Sequence, residues 1–159
     1  MTPLSSATIV LVAVCAALSI ALTVIDIATH RLPNRLVIAL AGAAAGIAVL
    51  SAIERGSIRP IVEAVVAGAV LFVLYYLLHR SGGGMGGGDV KLAAAIGLFL
   101  GPLGWRAPLL ATALGFVTGG IVAVVVILAR RGGRRTRIPF GPFMLLGAWA
   151  VAGGVWAGT

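Results

Sequence analysis

Acidic side chains are nearly absent from this chain. Its 159 residues hold four of them, Asp26, Glu54, Glu63 and Asp89, and charged residues of either sign make up only 10%. That is too little polar surface to cover a soluble globule, so the soluble classes are excluded at once. Cysteine is scarcer still. Cys15 stands alone, which rules out an intrachain disulfide or a cysteine zinc cluster, and its apolar neighbours read as packing rather than as the setting of a nucleophile. Val14 occupies the place where a lipoprotein cleavage site needs a small residue, and no basic stretch precedes the first apolar segment, so that segment reads as a retained anchor.

What the chain has in abundance is apolar length. Hydrophobic residues make up 60% of it and the mean hydropathy is +1.14. Runs of about 20 apolar residues cross a bilayer as helices, because only a helix satisfies its own backbone there. The expected fold is therefore all-α and polytopic, one integral-membrane domain over residues 1–159 with about six spans: Thr8 to Ile25, Leu36 to Ile53, Ile61 to Leu78, Val90 to Leu103, Leu109 to Ala129 and Phe140 to Trp156. The fourth is short and is expected to begin within the preceding loop. No linker, second domain or internal repeat interrupts the series.

The net charge of +8 lies in the short loops, where it sets orientation rather than marking a nucleic-acid surface. His30, Arg31 and Arg35 follow the first span, Arg80 and Lys91 flank the loop after the third, and Arg130, Arg131, Arg134, Arg135 and Arg137 follow the fifth. The other side holds only Arg55, Arg59 and Arg106. By the positive-inside rule both termini are outside, and Asp26 and Asp89 face the cytoplasm. The arginine-rich loop is also expected to rest on anionic lipid.

Glycine recurs in two patterns. Gly42 and Gly46, Gly97 and Gly101, and Gly115 and Gly119 are each four apart, which predicts flat strips for close helix packing. The run from Ser81 to Asp89 predicts a mobile loop instead, since glycine costs about 1 kcal/mol relative to alanine inside a helix. Its match to a dinucleotide fingerprint has neither a preceding strand nor a following acidic residue, and is discarded.

Asp26 and Asp89 stand at the inner ends of two apolar segments, where an ionisable side chain costs roughly 2.5 to 3.5 kcal/mol on insertion scales and so asks for a reason. Two carboxyls brought together can share a proton and activate a water. Simpler roles exist for each. Asp89 can cap its helix, and Asp26 can pair with His30 or Arg31. The helix dipole favours charge on Asp89, which starts a helix, over Asp26, which ends one. Lys91 can serve as an orientation signal, Pro139 and Pro142 can simply start a helix, and His30 and His79 lack the spacing of metal ligands.

Gly86-Gly87-Gly88-Asp89, followed by Val90-Lys91-Leu92, resembles the Gly-x-Gly-Asp motif of aspartic intramembrane proteases, specifically type IV prepilin peptidases. Asp26 with His30-Arg31-Leu32-Pro33-Asn34 resembles the first aspartate of that family and its basic, then Pro-Asn, continuation. Ile138-Pro139-Phe140-Gly141-Pro142 resembles the segment opening the family's last helix. Longer members carry an extension with paired Cys-x-x-Cys motifs and an N-methyltransferase activity; with one cysteine, this chain resembles the short, peptidase-only form of Tad or Flp pilus systems.

The resemblance implies an aspartic endopeptidase of the inner membrane that removes the leader of prepilins or pseudopilins at the cytoplasmic face. It implies Asp26 and Asp89 as catalytic residues, and Gly86, Gly88, Lys91, Pro33, Asn34, Pro139, Gly141 and Pro142 as substrate-binding or loop residues. No metal or organic cofactor is required. The partners are a prepilin or pseudopilin substrate and membrane lipid, with no nucleic acid, and a homo-oligomer is left open. A preflagellin or signal-peptide-peptidase-like protease would share the dyad, whereas a proton-coupled transporter would place its acids near mid-span.

Overall fold

The structure, a computed structural model, describes residues 5–82, 85–129 and 139–158. These form six α-helices: α1 (Ser6–Thr29), α2 (Asn34–Arg55), α3 (Arg59–Arg80), α4 (Gly87–Leu100), α5 (Arg106–Leu128) and α6 (Gly141–Ala157), with one 3-10 turn, Gly101–Leu103, after α4. Each coincides with an expected span. Four of them, α1, α2, α3 and α5, are long and apolar enough to cross a membrane; α6 is shorter, at 17 residues, and α4 shorter again, at 14. The arginine-rich loop and Ile138 lie outside the described residues.

Local chemistry sets the helix ends. Ser5 caps α1, its Oγ accepting the Thr8 N–H at 3.2 Å. Gly56 closes α2 in the left-handed region, at φ 57°, where glycine has no Cβ to clash. Pro60 and Pro142 each occupy the second position of a helix, where no intrahelical amide is lost.

The short α4 is the axis of the bundle. Buried residues run along most of it, from Asp89 through Leu92, Ala93 and Ile96 to Leu100, and it packs most extensively on α3, then on α2, with further contacts to α5 and α6. α1 lies against α2 and α6, and α5 pairs with α6. The outward faces of α1, α3 and α5 carry exposed apolar side chains such as Val10, Ile20, Val65, Val73, Val117 and Leu128. Such a surface is stable in hydrocarbon and not in water, which makes the chain a multi-pass membrane protein.

Two of the three expected glycine strips do the packing. A Cβ on Gly97 would stand 2.5 Å from the Ala67 carbonyl oxygen, and one on Gly101 would stand 2.5 Å from Ala64 Cα, so the α3 and α4 backbones touch. Gly115 and Gly119 admit the start of α6 in the same way, meeting the Phe143 carbonyl and the Phe140 ring. Gly42 meets nothing within 4 Å and Gly46 meets only Leu11. The expectation for that pair is corrected, because spacing places two glycines on one face but no helix backbone comes close to either, Gly46 meeting only a flexible side chain.

The α3–α4 contact also fixes depth. Gly97 lies against Ala67 and Gly68, and Gly101 against Ala64, in an antiparallel register. Continued for about two more turns, it brings Asp89 level with Tyr75 and Tyr76, roughly one turn short of the end of α3.

Candidate active site

One end of the bundle gathers the C-terminal ends of α1 and α3 and the N-terminal ends of α2, α4 and α6. Asp26 lies in the last turn of α1 and Asp89 in the first turn of α4, and both are buried, 4% and 8% exposed. Asp26 Oδ2 accepts the backbone N–H of Gly141, the first residue of α6, at 3.1 Å. Asp89 Oδ2 accepts the N–H of Gly86 at 3.0 Å. Buried carboxyls need such donors, since an unmatched one forfeits its hydration without return. The two are electrostatically linked, the charge of Asp26 acting on Asp89.

Leu32 lies close to the starts of both α4 and α6. A Cβ on Gly88 would meet Leu32 Cβ at 3.0 Å, and one on Gly141 would meet Leu32 Cδ2 at 3.5 Å and Asp26 Oδ2 at 2.7 Å. Only glycine lets the starts of α4 and α6 come this near to the loop. An open groove of about 650 Å³ is lined by Ile25, Thr29, Arg31, Leu32 and Pro33, next to Asp26 in sequence but without either aspartate in its wall.

The α1–α2 loop is held at both ends. His30 ends α1 in the left-handed region, at φ 53°, its N–H donating to the Asp26 carbonyl at 2.8 Å. Pro33 caps α2, its carbonyl accepting from Leu36 and Val37. Asn34 then accepts from Lys91 Nζ at 2.9 Å, bracing the first turn of α2 against that of α4. Lys91 thus has a specific partner, beyond any part in orientation.

The start of α6 is anchored by aromatic rings. Phe140 packs on Phe116 of α5 at 5.1 Å and on Tyr75 of α3 at 6.5 Å between centroids, which sets Gly141 beside Asp26. Pro142 follows within the first turn and Pro139 is half-buried just before the helix.

Three sequence readings need correction. Gly87 and Gly88 are helical, not loop: they form the first turn of α4, which Asp89 closes by accepting the N–H of the cap residue, Gly86. Asp89 is the third residue of its helix, with its carboxyl reaching back, and not the cap itself. The dipole reading for Asp26 is also incomplete, since Asp26 ends α1 but receives the N-terminal amide of another helix, which opposes the effect of α1. His30 does bear on Asp26 by its charge, in addition to that amide.

Sequence reasoning missed three residues: Leu32, Tyr75 and His79. Leu32 lay inside a motif without a role, and Tyr75 looked like any apolar helix residue. His79 lacks the spacing of a metal ligand, and the useful signal is its place one turn before a glycine run that ends in Asp89. Among the described residues, no group of three His, Cys, Asp or Glu side chains is placed to hold a metal ion.

Comparison with known proteins adds ancestry to this geometry. The profile of the type IV leader peptidase family matches residues 13–124, a range that takes in Asp26 and Asp89 and stops short of Pro139. The prepilin leader peptidase/N-methyltransferase of Aeromonas salmonicida (strain A449) is 33% identical over 136 residues, covering 82% of this chain and 44% of its own length. That of Burkholderia pseudomallei (strain 1026b) is 34% identical over 149 residues, covering 92% of this chain and 46% of its own. The chain spans less than half the length of these relatives. No solved structure matches it.

Proposed function

The chain belongs to the type IV leader peptidase family, and from that premise we propose that it is a membrane aspartic endopeptidase that removes the leader of prepilins or pseudopilins. Asp26 and Asp89 are its catalytic pair. The observation that carries this reading is the pairing itself: two buried carboxyls from the ends of different helices, each tied through Oδ2 to a backbone N–H and linked electrostatically to each other. A transporter has no need of acids fixed in this way at one end of the bundle.

The chemistry follows from two linked carboxyls. One, ionised, takes a proton from water as the water attacks the scissile carbonyl carbon; the other, protonated, donates to the carbonyl oxygen, giving a neutral tetrahedral intermediate. Return of a proton to the leaving nitrogen then breaks the C–N bond. With Oδ2 of each carboxyl engaged by an amide, Oδ1 is the atom left for water and substrate. The groove beside Leu32 offers room for an extended peptide, the form in which a scissile bond is not shielded by helical hydrogen bonds.

The basic residues at this end, His30, Arg31, Arg35, Arg80 and Lys91, against Arg55, Arg59 and Arg106 at the other, support a cytoplasmic site in the inner membrane. The test is leader removal from a co-expressed prepilin. Asp26→Asn and Asp89→Asn keep the shape of the side chain but cannot exchange the proton, so each abolishes cleavage while the protein still inserts. Near-normal cleavage by either variant sinks the proposal.

A further inference from the structure

His79 is the one histidine of α3 and takes no part in the chemistry above. Its Nδ1 lies 2.7 Å from the carbonyl oxygen of Met85. A carbonyl can only accept, so Nδ1 carries the proton. The next atom along the chain from that carbonyl is the nitrogen of Gly86, whose N–H is the donor to Asp89 Oδ2 at 3.0 Å. One peptide group therefore receives a hydrogen bond from His79 on its oxygen and gives one to Asp89 from its nitrogen.

This arrangement has two physical effects. A peptide group is planar, so fixing its C=O fixes the direction of its N–H. A bond accepted at the oxygen also polarises the amide and strengthens the bond given at the nitrogen. Met85 packs against the core, and His79 is near enough to act electrostatically on Asp89.

We propose that His79 is a positioning residue for the cleavage reaction, aiming the Met85–Gly86 peptide so that its N–H holds the Asp89 carboxyl toward water and Asp26. The proposal rests on the aspartic reading of the site.

The test exploits which nitrogen donates. Asparagine places an N–H the same number of bonds from Cβ as Nδ1, whereas glutamine places one where Nε2 stands. Prepilin cleavage by His79→Leu and His79→Gln is expected to fall roughly tenfold in kcat with little change in KM, as befits loss of one aligned hydrogen bond, while His79→Asn retains most of the rate. Equal rates in the Asn and Gln variants, or wild-type rates in the Leu variant, overturn the proposal. Nitrogen-15 NMR of the wild-type protein, which has only two histidines, gives a readout free of activity: an Nδ1 of His79 without a proton also overturns it. Asp89→Asn is assayed alongside. If that variant cleaves, the aspartic reading itself fails; if it is silent, the His79 variants judge this proposal alone.

Discussion

The backbone N–H of Gly141 reaches Asp26 Oδ2 at 3.1 Å, joining residues 115 positions apart in the chain. A Cβ at Gly141 would stand 2.7 Å from the same oxygen, closer than real Cβ contacts come. Gly141→Ala is therefore expected to push the carboxyl aside without unfolding the bundle, because the atom that must move is the end of a side chain. Leader cleavage should fall about tenfold or more, the effect of one misdirected catalytic group, with helix content by circular dichroism unchanged. Wild-type cleavage by this variant would show that Asp26 tolerates another placement.

Lys91 and Asn34 form a hydrogen bond between exposed groups on two helices. If its role is to brace α2 against α4, Lys91→Met and Asn34→Ala each slow cleavage by a modest factor, about two- to fivefold, and the double variant is no slower than the worse single. Losses that multiply in the double variant would mean that the two act separately, as when Lys91 contacts substrate.

Glycine pairs make opposite predictions according to what faces them. Gly97→Ala sets a Cβ against the backbone of Ala67, forcing α3 and α4 apart, and should cost about 1 to 3 kcal/mol. Gly42→Ala meets open space and should be neutral or slightly stabilising. Thermal unfolding in detergent micelles compares them; equal midpoints would count against the α3–α4 contact.

Glu54 and Glu63 lie at the opposite end of the bundle, Glu54 accepting from Thr8 at 3.2 Å and Glu63 pairing with Arg59 at 2.7 Å. Glu54→Gln and Glu63→Gln should cleave at wild-type rates. Chelators and thiol reagents should leave activity unchanged too, since Cys15 is fully buried. Inhibition by a chelator would point to a metal-dependent step that a two-aspartate mechanism does not contain.

All six helices were legible within a few residues, because the need to satisfy backbone groups in hydrocarbon makes each long apolar run a helix whatever its neighbours are. Asp26 and Asp89 stood out for a related reason, being rare charges at the ends of apolar runs. The facing of the helices was not legible. Helices such as α5 and α6 are apolar all round, so no stripe marks the buried side. That is why Gly42 looked like Gly97, and why Tyr75 gave no sign of its place against Phe140.

Which groups meet was decided by tertiary packing alone. Gly141 donates to Asp26, Leu32 fits between Gly88 and Gly141, and Nδ1 of His79 holds the Met85 carbonyl because α4 is short and lies inset among longer helices. Its first turn thereby comes within reach of three other helix ends. Hydropathy along a chain records the solvent of each residue and determines the helices; the direction of a hydrogen bond between them depends on register and rotation, which only the packed bundle sets.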